Sequence, residues 1–157
     1  MLYDVEVVAV PEQAVVTLRE RGRLRDIGVR MRRLREIVAE EGLTPAGPIM
    51  GRFYEDDVSR PDLDYDVCLP VEPGAGGSVP DTVGEARGEW VPLHHALEAV
   101  HRGPHDAMED AVRALHEALA ALGYTRSGPL TEVYEVGGAP GRPATDYVTR
   151  VRLPYAR

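Results

Sequence analysis

One carboxylate stands among apolar and aromatic residues in the run Leu130-Thr131-Glu132-Val133-Tyr134-Glu135-Val136. Strand alternation puts Leu130, Glu132, Tyr134 and Val136 on one side. If that side is buried, Glu132 is an ionisable group in a dry place. Such an acid is held protonated, hydrogen-bonded or ready for a cationic ligand, because burying a lone carboxylate is costly. If the alternation is inverted, Glu132 faces solvent and Val133 faces the core. Periodicity alone leaves both readings open. The chemistry available is ion pairing with an organic cation, or proton donation by a carboxyl of raised pKa.

The five histidines offer a second kind of chemistry. His94-His95 and His101-x-x-x-His105 are close in sequence, but the first three fall on a predicted strand and its approach, while His105 opens a helix. Two rings four residues apart then do not share a helical face, and no Cys cluster assists, so no metal and no cofactor are expected. His105 is read either as a ligand-binding or titrating residue or as a plain helix-start residue. Cys68 is the single cysteine, so no internal disulfide framework exists. Pro73-Gly74-Ala75-Gly76-Gly77-Ser78-Val79-Pro80 lacks the Lys-Ser/Thr ending of a phosphate-binding loop and reads as a linker.

The elements that position these residues come as two copies of one unit. At an offset of 81, residues 10–48 fall on 91–129. Val10-Pro11 meets Val91-Pro92, Arg21-Gly22 meets Arg102-Gly103, and Leu34 and Glu36 meet Leu115 and Glu117. Gly42-x-Thr44-x-x-Gly47-Pro48 meets Gly123-x-Thr125-x-x-Gly128-Pro129; with Arg32/Arg113 and Ala39/Ala120, 12 of 39 positions agree. Unrelated segments of this composition would share roughly three, so an internal duplication is the economical reading. Each copy reads as strand, strand, helix, strand, strand. The helices are predicted over roughly 24–41, with Ile27, Met31, Leu34 and Val38 in register, and 105–122, with Met108, Val112, Leu115, Leu119 and Leu122. Predicted strands cover 5–10, 14–18, 49–55, 65–71, 89–91, 96–100, 130–136 and 147–153. The expected fold class is α+β. It is one domain over 1–157, with half-repeats about 1–73 and 81–157 joined by 73–80, a curved antiparallel sheet with both helices on one face, and a ligand crease between the halves.

The formal net charge is -8, with 18 Lys+Arg against 26 Asp+Glu. That balance disfavours direct nucleic-acid binding, which needs surplus cations. The N-terminus lacks a basic region followed by an apolar run, and no apolar stretch approaches the ~20 residues of a membrane span, so a cytoplasmic location is expected. The arginines at positions 19, 21, 23, 25, 30, 32, 33 and 35 form a local basic run. They read as a solvated face paired with Glu36, Glu40 and Glu41, or as a contact for a protein partner or DNA.

In order, His101-Arg102-Gly103-Pro104-His105, Gly123-Tyr124, Gly128-Pro129, Glu132-x-Tyr134 and the closing strand from Thr149 to Pro154 make a pattern. Gly42, Gly47-Pro48, Phe53-Tyr54 and Asp64 to Val71 echo it in the first half. The chain resembles the GyrI-like effector-binding domains, the ligand-sensing parts of BmrR-type and some AraC-type regulators, which also occur as stand-alone proteins. The resemblance covers nearly the whole chain. It implies that Glu132 is the acid at the floor of an aromatic-lined pocket, with Tyr134 beside it and aromatic-lining positions near Ile49 and Phe53. The chain departs from the family pattern at His105, where an aromatic is usual, at Arg150, where an acid is usual, and at Ala118, where a Trp is common. No helix-turn-helix precedes the first strand, so a complete regulator is not expected.

The first reading is a stand-alone domain that binds an amphipathic or cationic small organic molecule between its halves, through Glu132, Tyr134, Phe53, Trp90, His105 and Ile49. The lone Trp90 is expected to border the pocket or to be a simple core residue. The alternatives are a GyrI-like hydrolase that opens the cyclopropane rings of reactive natural products, with Glu132 as its catalytic acid, and a gyrase-modulating or other protein-interaction module.

Overall fold

A computed structural model describes residues 3–105, 108–136 and 142–157, with the side chain of Val136 also outside the description. The Gly-rich loop expected at 137–141 lies outside the described residues. The elements run β1 (Glu6–Val10), β2 (Gln13–Gly22), α1 (Ile27–Glu40), β3 (Met50–Phe53), β4 (Leu63–Pro70), β5 (Thr82–Val83), β6 (Ala86–Val91), β7 (His94–Arg102), α2 (Glu109–Leu122), β8 (Thr125–Arg126), β9 (Leu130–Val136) and β10 (Val148–Ala156). Within each of two groups of strands the described pairings are antiparallel, and two long helices complete an α+β architecture. Neither helix is long and apolar enough to cross a membrane.

The chain separates into two compact units, and they do not follow the half-repeat boundaries drawn from the sequence. One is Pro11–Leu93; the other joins the first strand to everything from His94 onward. The reason is an exchange of opening strands. β1, the first strand of the first repeat, pairs with β7 of the second, Val8 opposite Ala96. β6, the first strand of the second repeat, pairs with β2 of the first, Val15 opposite Glu89.

Within Pro11–Leu93 the strand order is β3-β4-β2-β6-β5. Leu34, Ile37 and Val38 of α1 are buried, as are Phe53, Tyr65, Val67 and Leu69. The opposite sheet face carries charge. Arg52 makes a two-pronged bond to Asp66 at 2.8 and 2.9 Å, and Arg19 does the same to Asp64 at 2.8 Å. The segment 73–80, expected as a flexible linker, is a closed turn in which the Gly74 amide donates to the Ser78 carbonyl and the Gly77 amide to the Gly74 carbonyl.

The other unit has the order β1-β7-β10-β9, with β8 on the far end of β10. Ala111 and Leu115 of α2 are buried, while Leu122, expected on the same apolar stripe, is exposed. The helix begins at Glu109 rather than near 105.

The duplicated Gly-x-x-x-x-Gly-Pro motif has a structural cause in each unit. Gly42 (φ 72°) and Gly123 (φ 70°) take the left-handed conformation that ends a helix. The next residue closes the cap: Leu43 donates its amide to the Val38 carbonyl and Tyr124 to that of Leu119. The chain then returns to the last strand, Ala46 donating to the Pro70 carbonyl and Ser127 to the Pro154 carbonyl. Gly128 lies against Pro154, where a Cβ would sit 3.3 Å from the proline ring. A side chain at Gly123 would strain the left-handed backbone, so Gly123→Ala should lower stability by about 1 kcal/mol. Urea unfolding checks this, and an unchanged midpoint would remove the cap from the argument.

Candidate functional site

The register of three strands decides where Glu132 points. Glu132 lies opposite Val151, and Val151 opposite Ala99. Tyr134 lies opposite Thr149, and Thr149 opposite His101. Directly opposed residues in an antiparallel pair share a face. Val151, Thr149, Leu153, Ala99, Leu97 and His101 are all buried, so Glu132 and Tyr134 belong to the apolar face that receives α2. The other face is ionic. Glu98 accepts from Arg150 at 2.7 Å and from Arg152 at 2.8 Å, and Arg150 also reaches Glu135 at 2.6 Å. Arg150, a departure from the family pattern, is thus turned away from Glu132. Val133 is buried among these charged neighbours.

A bulge shapes the site. Val148 pairs with Val136 but Thr149 pairs with Tyr134, which leaves Glu135 as an extra residue in β9. Such a bulge re-aims the side chains beside it. Here it lets Tyr134 and Thr149 stand together on the inner face while Glu135 reaches out to Arg150.

The Tyr134 hydroxyl donates to Glu132 Oε1 at 2.7 Å. The residue Glu132 keeps some surface access, yet protein surrounds its carboxyl, and those surroundings set its proton affinity. Burial raises its pKa to about 7, against a smaller lowering by the Tyr134 hydrogen bond. Burial likewise pushes the Tyr134 phenol far above its ordinary value, helped by the neighbouring carboxylate. Tyr134 is therefore a permanent donor, and Glu132 can change charge near neutral pH.

His105 completes the wall. Its ring lies 5.1 Å from that of Tyr134 and 4.8 Å from that of Tyr147. The turn that carries it is anchored twice. The Gly103 amide donates to the Tyr147 carbonyl at 2.9 Å, and His101 Nε2 donates to the Pro104 carbonyl at 2.8 Å. A carbonyl only accepts, so Nε2 carries the proton in the neutral ring. Nδ1 then accepts from the Tyr3 hydroxyl at 2.8 Å.

The structure thus brings Glu132, Tyr134 and His105 together in one unit. Ile49, Phe53 and Trp90 lie in the other. Ile49 and Phe53 are core residues there, Phe53 stacked on Tyr65 at 6.3 Å. Trp90 is 42% exposed on β6, so it is no core residue. Sequence reasoning did not single out Tyr147, beside His105, or Thr149, opposite Tyr134. Alternation along Thr149, Val151 and Leu153 could have flagged Thr149, whereas Tyr147 comes close only through the fold of its loop. Among the described residues no group of three or more His, Cys, Asp or Glu is placed to hold a metal. In the Arg-rich run, Arg33 pairs with Glu36, Glu40 and Glu85, and Arg30 with Glu20. A groove of about 590 Å³ also runs between Tyr3, Val5 and the α2 residues Asp110, Arg113, Ala114, Glu117, Ala118 and Ala121.

Known proteins share this fold. The family model described as the GyrI-like small molecule binding domain matches residues 3–156. The crystal structure of the EcmrR C-terminal domain superposes with a TM-score of 0.86 at 19% identity, over 100% of this chain and 99% of that one. EcmrR in its complex with DNA matches with a TM-score of 0.87 at 18% identity, where this chain spans 59% of the longer protein. A hydrolase from Listeria innocua (TM-score 0.69, 14% identity, 97% and 91% covered) and SAV2435 bound to tetraphenylphosphonium (0.61, 13%, 99% and 94%) share the fold. No curated protein matches the sequence significantly.

The raised carboxyl makes a stability prediction. Folding binds the Glu132 proton more tightly than the unfolded chain does. Its favourable contribution is complete below the ordinary value of 4.5, is lost as pH rises towards about 7, and stays lost above that. Glu132→Gln removes the cost of the buried charge. Thermal or urea unfolding should find the variant level with wild type at pH 4 and more stable at pH 8, by on the order of 3 kcal/mol. A variant that is less stable at both pH values would contradict the buried-acid reading.

Proposed function

This chain belongs to the GyrI-like family of small-molecule-binding domains, and we propose that it binds amphipathic organic cations at Glu132. The carrying observation is the Glu132 carboxyl held at about pH 7 among apolar and aromatic side chains, with one donor, Tyr134. An anion so placed is poorly solvated. A lipophilic cation restores its partner while its apolar body packs against the partly exposed His105–Tyr147 wall. A structural neighbour, SAV2435, was solved with tetraphenylphosphonium bound, a cation of this kind. The likeness to EcmrR supports a sensing role, in which ligand occupancy informs a regulatory response. Sensing does not need a tight fit, since dispersion and one ion pair tolerate more than one cation of similar size.

A calorimetric titration with tetraphenylphosphonium tests the proposal. Only the ionised carboxylate attracts the cation, so affinity should fall about 30-fold from pH 8 to pH 5.5 for a carboxyl near 7. Glu132→Gln should weaken binding at pH 8 by roughly 2–4 kcal/mol and abolish the pH dependence. Equal affinity of variant and wild type at pH 8 overturns the proposal.

The same carboxyl supports a second reading, because an acid near pH 7 can donate a proton in a hydrolytic step. A hydrolase shares the fold. In that case Glu132→Gln would keep ligand affinity and lose turnover of a reactive cyclopropane compound, a result that separates catalysis from sensing.

A further inference from the structure

One polar group on the inner face is left without a role by the reading above. Thr149 is fully buried, at 0% exposure, and among the described residues its Oγ1 has no hydrogen-bond partner. A buried hydroxyl left unpaired destabilises a fold by about 1–3 kcal/mol, so it calls for a reason. Its neighbours explain why it is unpaired. On one side Tyr134 gives its hydroxyl proton to Glu132. On the other, both ring nitrogens of His101 are engaged, one by Tyr3 and one by the Pro104 carbonyl. Valine, nearly the same shape, would fill this place with no unpaired atom, as it does two residues on at Val151.

The position is as informative as the lack of a partner. Thr149 faces Tyr134 directly, and Glu132 is the next residue along β9 on that face. Diagonal neighbours of this kind stand roughly 7 Å apart. A drug-sized molecule seated on Glu132 spans that distance. Tyr134, opposite Thr149 and next to Glu132 along β9, is the side chain whose hydroxyl a cation at the carboxylate would displace.

We infer that Thr149 is a specificity-determining residue of this site, and that the preferred ligand is an organic cation carrying its own hydrogen-bonding group, a hydroxyl or a carbonyl, rather than a bare lipophilic cation. This rests on the reading of Glu132 as the cation's partner. The cation pairs with Glu132, and the second polar group meets Thr149 Oγ1. A site that leaves a buried hydroxyl unpaired discriminates against ligands that cannot satisfy it. Tetraphenylphosphonium, with neither donor nor acceptor, fills the site without using Thr149.

The probes are quinine, its 9-deoxy analogue, which differs by one hydroxyl, and tetraphenylphosphonium. Each is titrated at pH 7.5 into wild type, Thr149→Val and Glu132→Gln. Wild type should bind quinine at least tenfold more tightly than deoxyquinine. Thr149→Val should erase that difference while leaving tetraphenylphosphonium affinity within about twofold. Its melting temperature should hold or rise, since an unpaired hydroxyl becomes a methyl, and this shows that the variant folds. Glu132→Gln should weaken all three. If all three bind through Glu132 but Thr149→Val leaves the quinine preference intact, or quinine has no preference, the inference about Thr149 falls and the Glu132 reading survives. If Glu132→Gln changes none of the affinities, the Glu132 reading falls and this inference with it. A lowered melting temperature in Thr149→Val shows that the hydroxyl has a structural partner and also overturns the inference.

Discussion

The site depends on one hydrogen bond in a dry place, from the Tyr134 hydroxyl to the Glu132 carboxyl. The two groups constrain each other. Tyr134 cannot ionise there, because burial and the adjacent acid both oppose it. It therefore offers a proton at every physiological pH. Glu132 gains from that donor, but one hydrogen bond does not replace a hydration shell, so burial wins and the carboxyl titrates near neutrality. A second donor or a permanent cation beside Glu132 would have kept it fully ionised and satisfied. The chain places the arginines of the adjacent strand, Arg150 and Arg152, on the opposite face, bound to Glu98 and Glu135. The acid is left with an unmet demand for a charge partner.

Strand register is what keeps the acid inward. A slip of one residue between β9 and β10 would exchange Glu132 with Val133 and put the carboxylate among the arginines. Several features oppose that slip. The Ser127 amide bonds to the Pro154 carbonyl, β8 pairs Arg126 with Tyr155, and Gly128 fits against the Pro154 ring. These fix the chain just before β9 begins. The same contacts recur in the other unit, with Ala46 on Pro70, an isolated bridge between Pro45 and Val71, and Gly47 against Pro70. The Gly-Pro signature is thus a register device. It occupies the same place in both units, which is why it is the clearest feature their sequences share.

What could be read in the sequence follows from this. Local rules fixed the helices, the αL glycines and most strands, because their determinants lie within a few residues. The acid was identifiable because an ionisable group interrupts an apolar alternation. Which way it pointed was not, since alternation in one strand has no sign; Val151 and Ala99, far away in the chain, supply it. Ile49 and Phe53 read as pocket residues, and the structure packs them as core of the unit that lacks Glu132. The exchange of opening strands between the repeats was invisible for a similar reason: β1 and β6 hold equivalent places in the repeat, and nothing local says which unit each will pair with. Tyr147 joined the site only through a turn closed by the Gly103 amide.

The Gly-Pro motif stands in both units, but an acid at the matching strand position stands in one of them. The position equivalent to Glu132 is Gly51, opposite Val67 on an apolar face that also holds Phe53 and Tyr65. In that unit the buried charge, Asp66, stands on the other face and is fully matched: Arg52 grips both its oxygens and Tyr54 donates to one of them. The contrast is instructive because both are buried carboxylates with a tyrosine donor. Asp66 also has a guanidinium, so its charge is neutralised within the fold and it offers nothing to a ligand. Among the described residues Glu132 has the tyrosine alone. The difference between the two acids is the presence or absence of a single arginine, and it is set by which face of the strand each acid occupies.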